Sequence, residues 1–459
     1  MADGSTSARS EEEPASAGRL RVGLTTLGCR LNHAETDGMA RMAREAGHEV
    51  VDFGDEADVY VVNTCTITQD ADADSRQRIR QAARRSPGAR VVVTGCYATR
   101  DPGALAALPQ VAAVLGNRDK DRWLERLGAA DPGRVDVCVS ALVRHVPLAS
   151  LPADDDPRRS RGHLKIQDGC DYRCSFCVVP AVRGRSASVE PTRVASQLAE
   201  LVAAGLPEVV LTGVHLGTYG RDLSPRVDLR GLLVELLPRL GGARLRLGSL
   251  DPHEVDDALV ELLAAERGRI CRHLHLPVQS GDDAVLQRMR RAHRAGDLAA
   301  LVPRLVQAVP GIAVGSDVIV GFPGEDEAAF GRTLELLEGL PVAYLHVFAY
   351  SRREGTAAAS MPEQVAPEVR ARRSQRLRAL STAKAAAFRA AQVGAEAAAV
   401  VQRRRDPASG RLVALTDNYV EVLVDGSDAL LGHGVVVRIE DAGEAAAPHP
   451  RALGRVIDG

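Results

Sequence analysis

Long apolar runs are missing from this 459-residue chain, and no stretch approaches the roughly 18 residues a helix needs to cross a bilayer, so no membrane span is expected. Aromatic residues are scarce too, with one Trp, 7 Tyr and 6 Phe. Any contact with nucleic acid must therefore lean on phosphate charge more than on base stacking, and should weaken steeply with salt. A net charge of −2 excludes a uniformly basic binding surface and leaves that work to local patches. Lysine is nearly absent; codon composition can produce that skew, and no function is read from arginine abundance. The opening MADGSTSARSEEEPASAG has no apolar core of a secretory leader. Acidic and rich in Ser and Ala, residues 1–18 read as a disordered tail. Eight cysteines in a leaderless chain of this size suggest metal or redox chemistry in a reducing cytoplasm more than a disulfide framework.

The cysteines are not scattered evenly. Cys170-Asp171-Tyr172-Arg173-Cys174-Ser175-Phe176-Cys177 puts three thiols on one short loop in the spacing C-x₃-C-x₂-C. Three thiolates can hold three corners of a cubane iron–sulfur cluster whose full complement is four, which leaves one iron open to a further ligand. A structural zinc site is the alternative, but it wants a fourth Cys or His at finger spacing, and none is nearby.

From Arg19 to about residue 145, β-rich runs alternate with amphipathic helical stretches, the pattern of a parallel α/β sheet. The strands read RVGLTTLGC, VYVVNTC, RVVVTGC and VAAVLGN, with helices expected at Ala34–Ala46 and Ser75–Arg85. Three of these strands end in cysteine. Cys29, Cys65 and Cys96 are separated by 36 and 31 residues, close to the ~30 of a βαβ unit. A parallel sheet gathers such strand ends along one edge, so the three predict a second three-thiolate site. Small buried residues at strand ends are the plainer explanation, and three in phase weigh against it.

Residues 148–161 are rich in Pro and charge and read as a linker. A second series follows, with strands HLKIQDG, EVVLTGVH, RLRLGSL, CRHLHLPVQ, AVGSDVIVGF and AYLHVFAY. Six βα units predict a partial (βα)6 TIM-like barrel with its chemistry at the carboxyl ends of the strands, where the cysteine loop falls. From about residue 393, short strands and Gly turns predict a small all-β barrel. The expected fold class is thus α/β with a β appendage: a parallel α/β domain at 19–147, a partial barrel at 162–392 and a β barrel at 393–459.

Strand-end turns of the second series are the places for cofactor contacts: Thr212 and Gly213 in LTGVH, Ser249 in GSLD, Gln279 in PVQSG and Gly321 in GFPGE. His273 and His275 share a strand face and read as packed barrel-interior residues with satisfied hydrogen bonds. Cys138 and Cys271 lie in apolar runs and read as buried free thiols. Arg183 and Arg185 suit a carboxylate or phosphate ligand, or a solvated pair. Basic runs at Arg370–Arg378 and Arg403–Arg405 flank the small barrel and point to an RNA-binding module.

The cysteine loop closely resembles that of the radical S-adenosylmethionine (SAM) enzymes. Together T-L-G-C-x-x-N at 26–32, N-T-C at 63–65, T-G-C at 94–96 and G-C-D-x-x-C-S-F-C-V-V-P at 169–180 resemble the methylthiotransferases of that group, over nearly the whole chain from residue 19. NTCTITQDAD, LTGVHLGTYG and ICRHLHLPVQSGDD look most like the MtaB type, which places a methylthio group on carbon 2 of N6-threonylcarbamoyladenosine at tRNA position 37. The resemblance implies two [4Fe-4S] clusters, with Cys170, Cys174 and Cys177 (the catalytic, radical-generating set) on one and Cys29, Cys65 and Cys96 on the other. It also implies two equivalents of SAM per turnover, a carboxyl-terminal TRAM domain, a tRNA substrate, a flavodoxin- or ferredoxin-like electron donor, a sulfur source and a cytoplasmic monomer. Rival substrates within the family are isopentenyl-adenosine in tRNA and an aspartate of a small-subunit ribosomal protein. A zinc-bearing RNA-binding protein is the non-enzyme alternative. Two departures stand out: Arg30-Leu31 where Lys-Val is usual, and Gly248 where a Ser is commoner.

Overall fold

A computed structural model describes residues 18–129, 133–142, 159–444 and 450–458. The expected tail and most of the expected linker lie outside the described residues.

The first unit is a six-stranded, all-parallel sheet of β1 (Arg21–Thr26), β2 (Glu49–Val51), β3 (Val59–Thr64), β4 (Arg90–Gly95), β5 (Val111–Leu115) and β6 (Asp136–Cys138). Its order is β2-β1-β3-β4-β5-β6. The centre strand β3, VYVVNT, is buried at every position because helices cover both faces, which makes it an unbroken apolar run and not an alternating one. Separate apolar clusters fill the two sides of the sheet. Helices α1 (Arg30–Glu45) and α2 (Gln69–Arg85) begin four and six residues earlier than their apolar periodicity suggests. Their first turns are polar, so periodicity misses them. In α2 the start is set by Thr68, whose hydroxyl accepts from the Ala71 N–H, and by Asp70 and Asp72 in the first turn, with Arg84 and Arg85 in the last. The edge strands β2 and β6 are three residues each, too short to show a strand period.

In the second unit, β7 (Gly162–Lys165) is followed by the two-residue strands β8 (Gln167–Asp168) and β9 (Ala187–Ser188), which pair with each other. The main strands continue with β10 (Glu208–Thr212), β11 (Arg244–Leu247), β12 (His273–Gln279), β13 (Ala313–Val320) and β14 (Tyr344–Ala349). They form two parallel three-stranded sheets, β11-β10-β7 and β12-β13-β14. Parallel bridges Leu245↔Ile270 and Ser249↔His275 bring β11 beside β12. The result is an open arc of six parallel strands, the partial barrel expected. Outward residues such as Leu211, Leu245, Leu247, Leu274 and Val314 build the largest apolar core against the surrounding helices. Inward residues are polar to an unusual degree: Glu208, Arg246, His273, His275 and Asp317 all lie on that face.

A 24-residue helix, Pro367–Ala390, leads to a closed five-stranded barrel of β15 (Glu396–Arg405), β16 (Leu412–Thr416), β17 (Glu421–Val424), β18 (Gly434–Asp441) and β19 (Ala452–Asp458). It is consistent with a TRAM domain. No helix of the described residues is long and apolar enough to cross a membrane.

Candidate active site

Each cysteine trio is assembled by glycines that let backbone cross at close range. Gly28 and Gly95 precede Cys29 and Cys96 with φ of 92° and 103°, a left-handed region that favours glycine. A Cβ on Gly28 would stand 2.7 Å from the Cys65 Sγ, and one on Gly95 would stand 2.3 Å from the Thr64 carbonyl oxygen. The turns after β1, β3 and β4 are then tied together. Asn32 Nδ2 donates to the carbonyls of Leu27 (2.8 Å) and Thr64 (3.1 Å), and Asn63 Nδ2 donates to the Asn32 carbonyl at 2.9 Å. Burial, with the neighbouring cysteines adding to it, raises the Cys29 thiol and pushes Cys65 up to about 12. Cys29 is nonetheless exposed, whereas Cys65 and Cys96 are buried.

The second trio sits on the loop after β8. Gly169 (φ 67°) permits the exit, since a Cβ there would lie 2.0 Å from the Arg185 carbonyl oxygen. Cys170 N–H donates to Gly184 O and Cys177 N–H to Cys174 O, both at 3.1 Å, while Ser175 is held by Met289 O and Arg288 O. His215 Nδ1 lies 3.5 Å from Cys170 Sγ, and its Nε2 is 2.8 Å from Glu254. Arg291 Nη1 donates to Cys174 Sγ at 3.5 Å and also pairs with Asp251. Burial raises Cys174 and pushes Cys177 to about 12. Crowded thiols of this kind keep their protons unless a cation sits among them, and they are the donor set that a cluster of positively charged iron takes.

Arg183 joins the two trios. Fully enclosed, it donates from Nε to Cys96 Sγ at 3.3 Å and from Nη1 to Asp168 (2.9 Å) and Glu35 (3.1 Å). Lys120 and Lys165 complete the network around Glu35. Asn117 Nδ2 reaches Cys96 Sγ at 3.6 Å and the Val182 carbonyl at 2.8 Å. Cys96 packs against Val178, the residue after Cys177, and Val182. Of the two readings of the Arg183/Arg185 pair, Arg183 is a buried carboxylate partner, whereas Arg185 is exposed on Asp171.

The turn residues divide. Thr212 is buried at the end of β10. At Gly213 a Cβ would stand 3.0 Å from Gln167 and from Leu216, so local packing accounts for the glycine. Gly248 is similar, with Leu216 at 3.0 Å and the Leu211 carbonyl at 3.1 Å, which leaves little room for the usual serine. Gln279 (φ 68°) is buried at the end of β12. Gly321 (φ 70°) lies under Arg370, and its N–H donates to Glu325 at 2.5 Å. Ser249 Oγ contacts His275 Nδ1 at 2.9 Å. His273 bonds Tyr344 through Nε2 at 2.8 Å, but its Nδ1 has no partner, so the expectation of fully satisfied barrel histidines does not hold. Cys271 is buried, but Cys138 is only half-buried, because β6 is an edge strand. Of the basic runs, Arg373 is buried on Glu325, Arg370 donates to the Tyr350 carbonyl, and Arg404 and Arg405 pair with Glu421 and Asp428. Arg373 is thus internal, whereas Arg372, Arg376, Arg378 and Arg403–Arg405 are exposed. Sequence reading missed Glu35, Glu254, Arg291 and Tyr419; no motif marks them, and only the fold brings them to the site.

Residues 21–116 match the Uncharacterized protein family UPF0004, and residues 164–337 match the Radical SAM superfamily. The chain is 39% identical to the Threonylcarbamoyladenosine tRNA methylthiotransferase MtaB of Bacillus subtilis (strain 168), over 92% of its own length and 94% of that relative. It belongs to the radical SAM methylthiotransferase family. Ribosomal protein uS12 methylthiotransferase RimO of Desulforudis audaxviator is 36% identical over 85% of the chain and 87% of the relative. The tRNA-2-methylthio-N(6)-dimethylallyladenosine synthase of Parafrankia sp. is 35% identical over 93% and 88%. Among solved structures, the radical S-adenosylmethionine methyltransferase TsrM of Kitasatospora setae shares the fold, with a TM-score of 0.53, 19% identity and coverage of 74% of this chain and 77% of that one. Membership in the methylthiotransferase family makes the chain an enzyme, which removes the zinc-protein alternative, and implies a [4Fe-4S] cluster and SAM.

Proposed function

We propose that this methylthiotransferase acts on tRNA, adding a methylthio group to carbon 2 of N6-threonylcarbamoyladenosine at position 37. Four relatives carrying the name Threonylcarbamoyladenosine tRNA methylthiotransferase support it at 34–39% identity. The observation that carries the choice of substrate is the polar lining of the barrel. Beyond Arg246 and His273, which the small barrel covers, His275, Asp317 and His346 put polar side chains on the inward face, beside the half-exposed Phe348. A threonylcarbamoyl group offers a carboxylate, a hydroxyl and urea N–H groups to such a lining, and unpaired buried polar groups discriminate strongly against the analogue that lacks those partners.

Cys170, Cys174 and Cys177 are assigned to a first cubane, and Cys29, Cys65 and Cys96 to a second. The turns that carry Thr212, Gly213, Ser249, Gln279 and Gly321 would hold SAM. Bound there, the clusters and two equivalents of SAM supply a carbon radical for hydrogen removal and a methyl group for the transferred sulfur. The chain's own part is positional: Arg291 and His215 steady the sulfurs of Cys174 and Cys170, and Arg183 fixes Cys96 against the barrel. An electron donor and a sulfur source complete the reaction in the cytoplasm. Iron analysis after anaerobic reconstitution tests the cluster count, with about eight irons per chain expected and about four contradicting it. Nucleoside mass spectrometry of tRNA from a deletion strain tests the substrate. Loss of the 2-methylthio form of threonylcarbamoyladenosine is expected; its persistence, with loss of methylthio from dimethylallyladenosine or from ribosomal aspartate, would reassign the enzyme.

A further inference from the structure

Away from both cysteine trios, three adjacent strands of the partial barrel bring His275 (β12), Asp317 (β13) and His346 (β14) together on the inward face. Asp317 stands opposite His346 in the register, and His275 stands opposite Gly315, two residues before Asp317. His275 Nε2 and His346 Nδ1 both lie 3.2 Å from Asp317 Oδ1, and the three donor atoms fall within 4.8 Å of one another.

Two arrangements produce such distances. In the first, a carboxylate simply accepts hydrogen bonds from two imidazoles. In the second, each donor points at a shared central cation; donors about 2.1 Å from a metal at near-right angles stand roughly 3 Å apart. The orientation of His275 separates them. Its Nε2 lies within bonding distance of Asp317 but is not aligned to hydrogen-bond it, and it has no other partner. The side chain is 8% exposed, so an unpartnered ring nitrogen there is costly without a ligand. On its far side, Nδ1 contacts Ser249 Oγ at 2.9 Å. When Nδ1–H donates to that hydroxyl, Nε2 carries the lone pair that a metal requires, the usual outer support of a ligating histidine. Among the described residues, no lysine or arginine bonds Asp317, so its charge is left to the two histidines.

We propose that His275, Asp317 and His346 form a site for one divalent transition-metal cation, distinct from the cysteine trios. Two imidazoles and one carboxylate on a single face suit Mn(II), Fe(II), Co(II) or Zn(II) and leave the remaining positions open to oxygen donors. Those positions are open to solvent, because Asp317 is 26% and His346 54% exposed while His275 lies behind them. The cation would put a positive centre inside the barrel without any contribution from sulfur.

Mn(II) is the discriminating probe, since it avoids thiolates and its free form gives a six-line electron paramagnetic resonance spectrum. Titrating it anaerobically into the full-length enzyme with its clusters assembled should remove that signal until one ion per chain is bound. His346→Ala, at an accessible position where folding is little affected, should abolish this binding, and His275→Ala should do the same. Ser249→Ala should weaken it about 10–100-fold, as loss of an outer hydrogen bond to a ligating histidine does. Cys29→Ala should leave it unchanged. Wild-type enzyme that binds no Mn(II) at millimolar concentration overturns the proposal, and so does binding that survives His346→Ala. Binding lost in Cys29→Ala would place the ion at the thiols and overturn it equally.

Discussion

At the scale of single residues, Arg183 shows how far a side chain can matter without carrying a motif. Its guanidinium is shared among Cys96, Asn32, Glu35 and Asp168, and it is 2% exposed. Burial opposes its charge, yet Asp168, Cys96 and Glu35 hold its pKa well above the ordinary value. Removing one partner from a buried ionic cluster strands the others, typically at about 3–5 kcal/mol. Arg183→Ala should therefore lower thermal stability by about that much, read by calorimetry against wild type. Arg183→Lys keeps the charge but not the fork, and should recover only part of the loss. The cysteines were legible in the sequence because their chemistry demands one residue type at set intervals. Arg183 was legible only as one of two readings of a loop arginine, since its partners at 35 and 168 are far away along the chain. The same split governs the active-site thiols: Cys174→Ala should abolish reductive SAM cleavage, whereas Cys65→Ala should leave cleavage intact and remove the methylthiolated product, both by chromatography of 5′-deoxyadenosine and nucleosides. Product surviving Cys65→Ala would refute the second trio's role.

At the scale of elements, the turn between β16 and β17 is the least expected feature. It reaches from the small barrel into the amino-terminal end of the partial barrel. Arg244 and Arg246 donate to the carbonyls of Leu415, Thr416 and Asp417, and Arg272 forks onto the Asp417 carboxylate. Tyr419, at φ 68°, stacks on His273 with ring centres 4.4 Å apart and accepts a hydrogen bond from Arg30 at 3.0 Å. Glu208 organises the arginines, bonding Arg246 at 2.7 Å and Arg244 at 2.8 Å with no exposure of its own. Burial would raise its carboxyl, but Arg246 and Arg244 hold it well below the usual range. A carboxylate depressed by folding stabilises the native state above its unfolded value of about 4.3, and that contribution is lost as pH falls through the folded value. The docked turn should thus hold at neutral pH and release only in acid well below pH 4, followed by limited proteolysis around the small barrel. Glu208→Gln should release it at neutral pH as well; equal protease resistance in wild type and variant would show that the turn docks by packing alone. The strands of both barrels were readable from apolar runs and Gly turns. This docking was not, because inward-facing arginines look the same in sequence as arginines meant for RNA.

At the scale of the molecule, the first unit is held against the partial barrel near both ends of the arc. After its first main strand, Arg183 reaches Cys96; after its last, Arg353 donates to Thr66 Oγ1 and Asp72 Oδ2, both at 2.7 Å. Thr66 follows Cys65 directly, so each anchor touches a cysteine of the first unit or its neighbour. Ser351 Oγ adds a bond from the Gln69 N–H at 3.1 Å, and Tyr419 reaches Arg30, the neighbour of Cys29. All three cysteines of the first unit are thereby positioned by groups from the other two units, whereas the loop of Cys170, Cys174 and Cys177 is braced within its own. On the proposed assignment of the two trios, that asymmetry would separate two activities. Cleavage of SAM would need only the second unit's own geometry, and delivery of sulfur to the target would need the first unit in register with it. Arg353→Ala removes one anchor at a buried site without touching a thiol. It should leave 5′-deoxyadenosine formation within about twofold of wild type and cut methylthiolated product by about tenfold or more, a loss of alignment of the size that small misplacements cause. The ratio of the two products in one anaerobic reaction is the measurement. A parallel fall in both would mean that Arg353 supports the fold as a whole and that the two units do not divide the chemistry in this way.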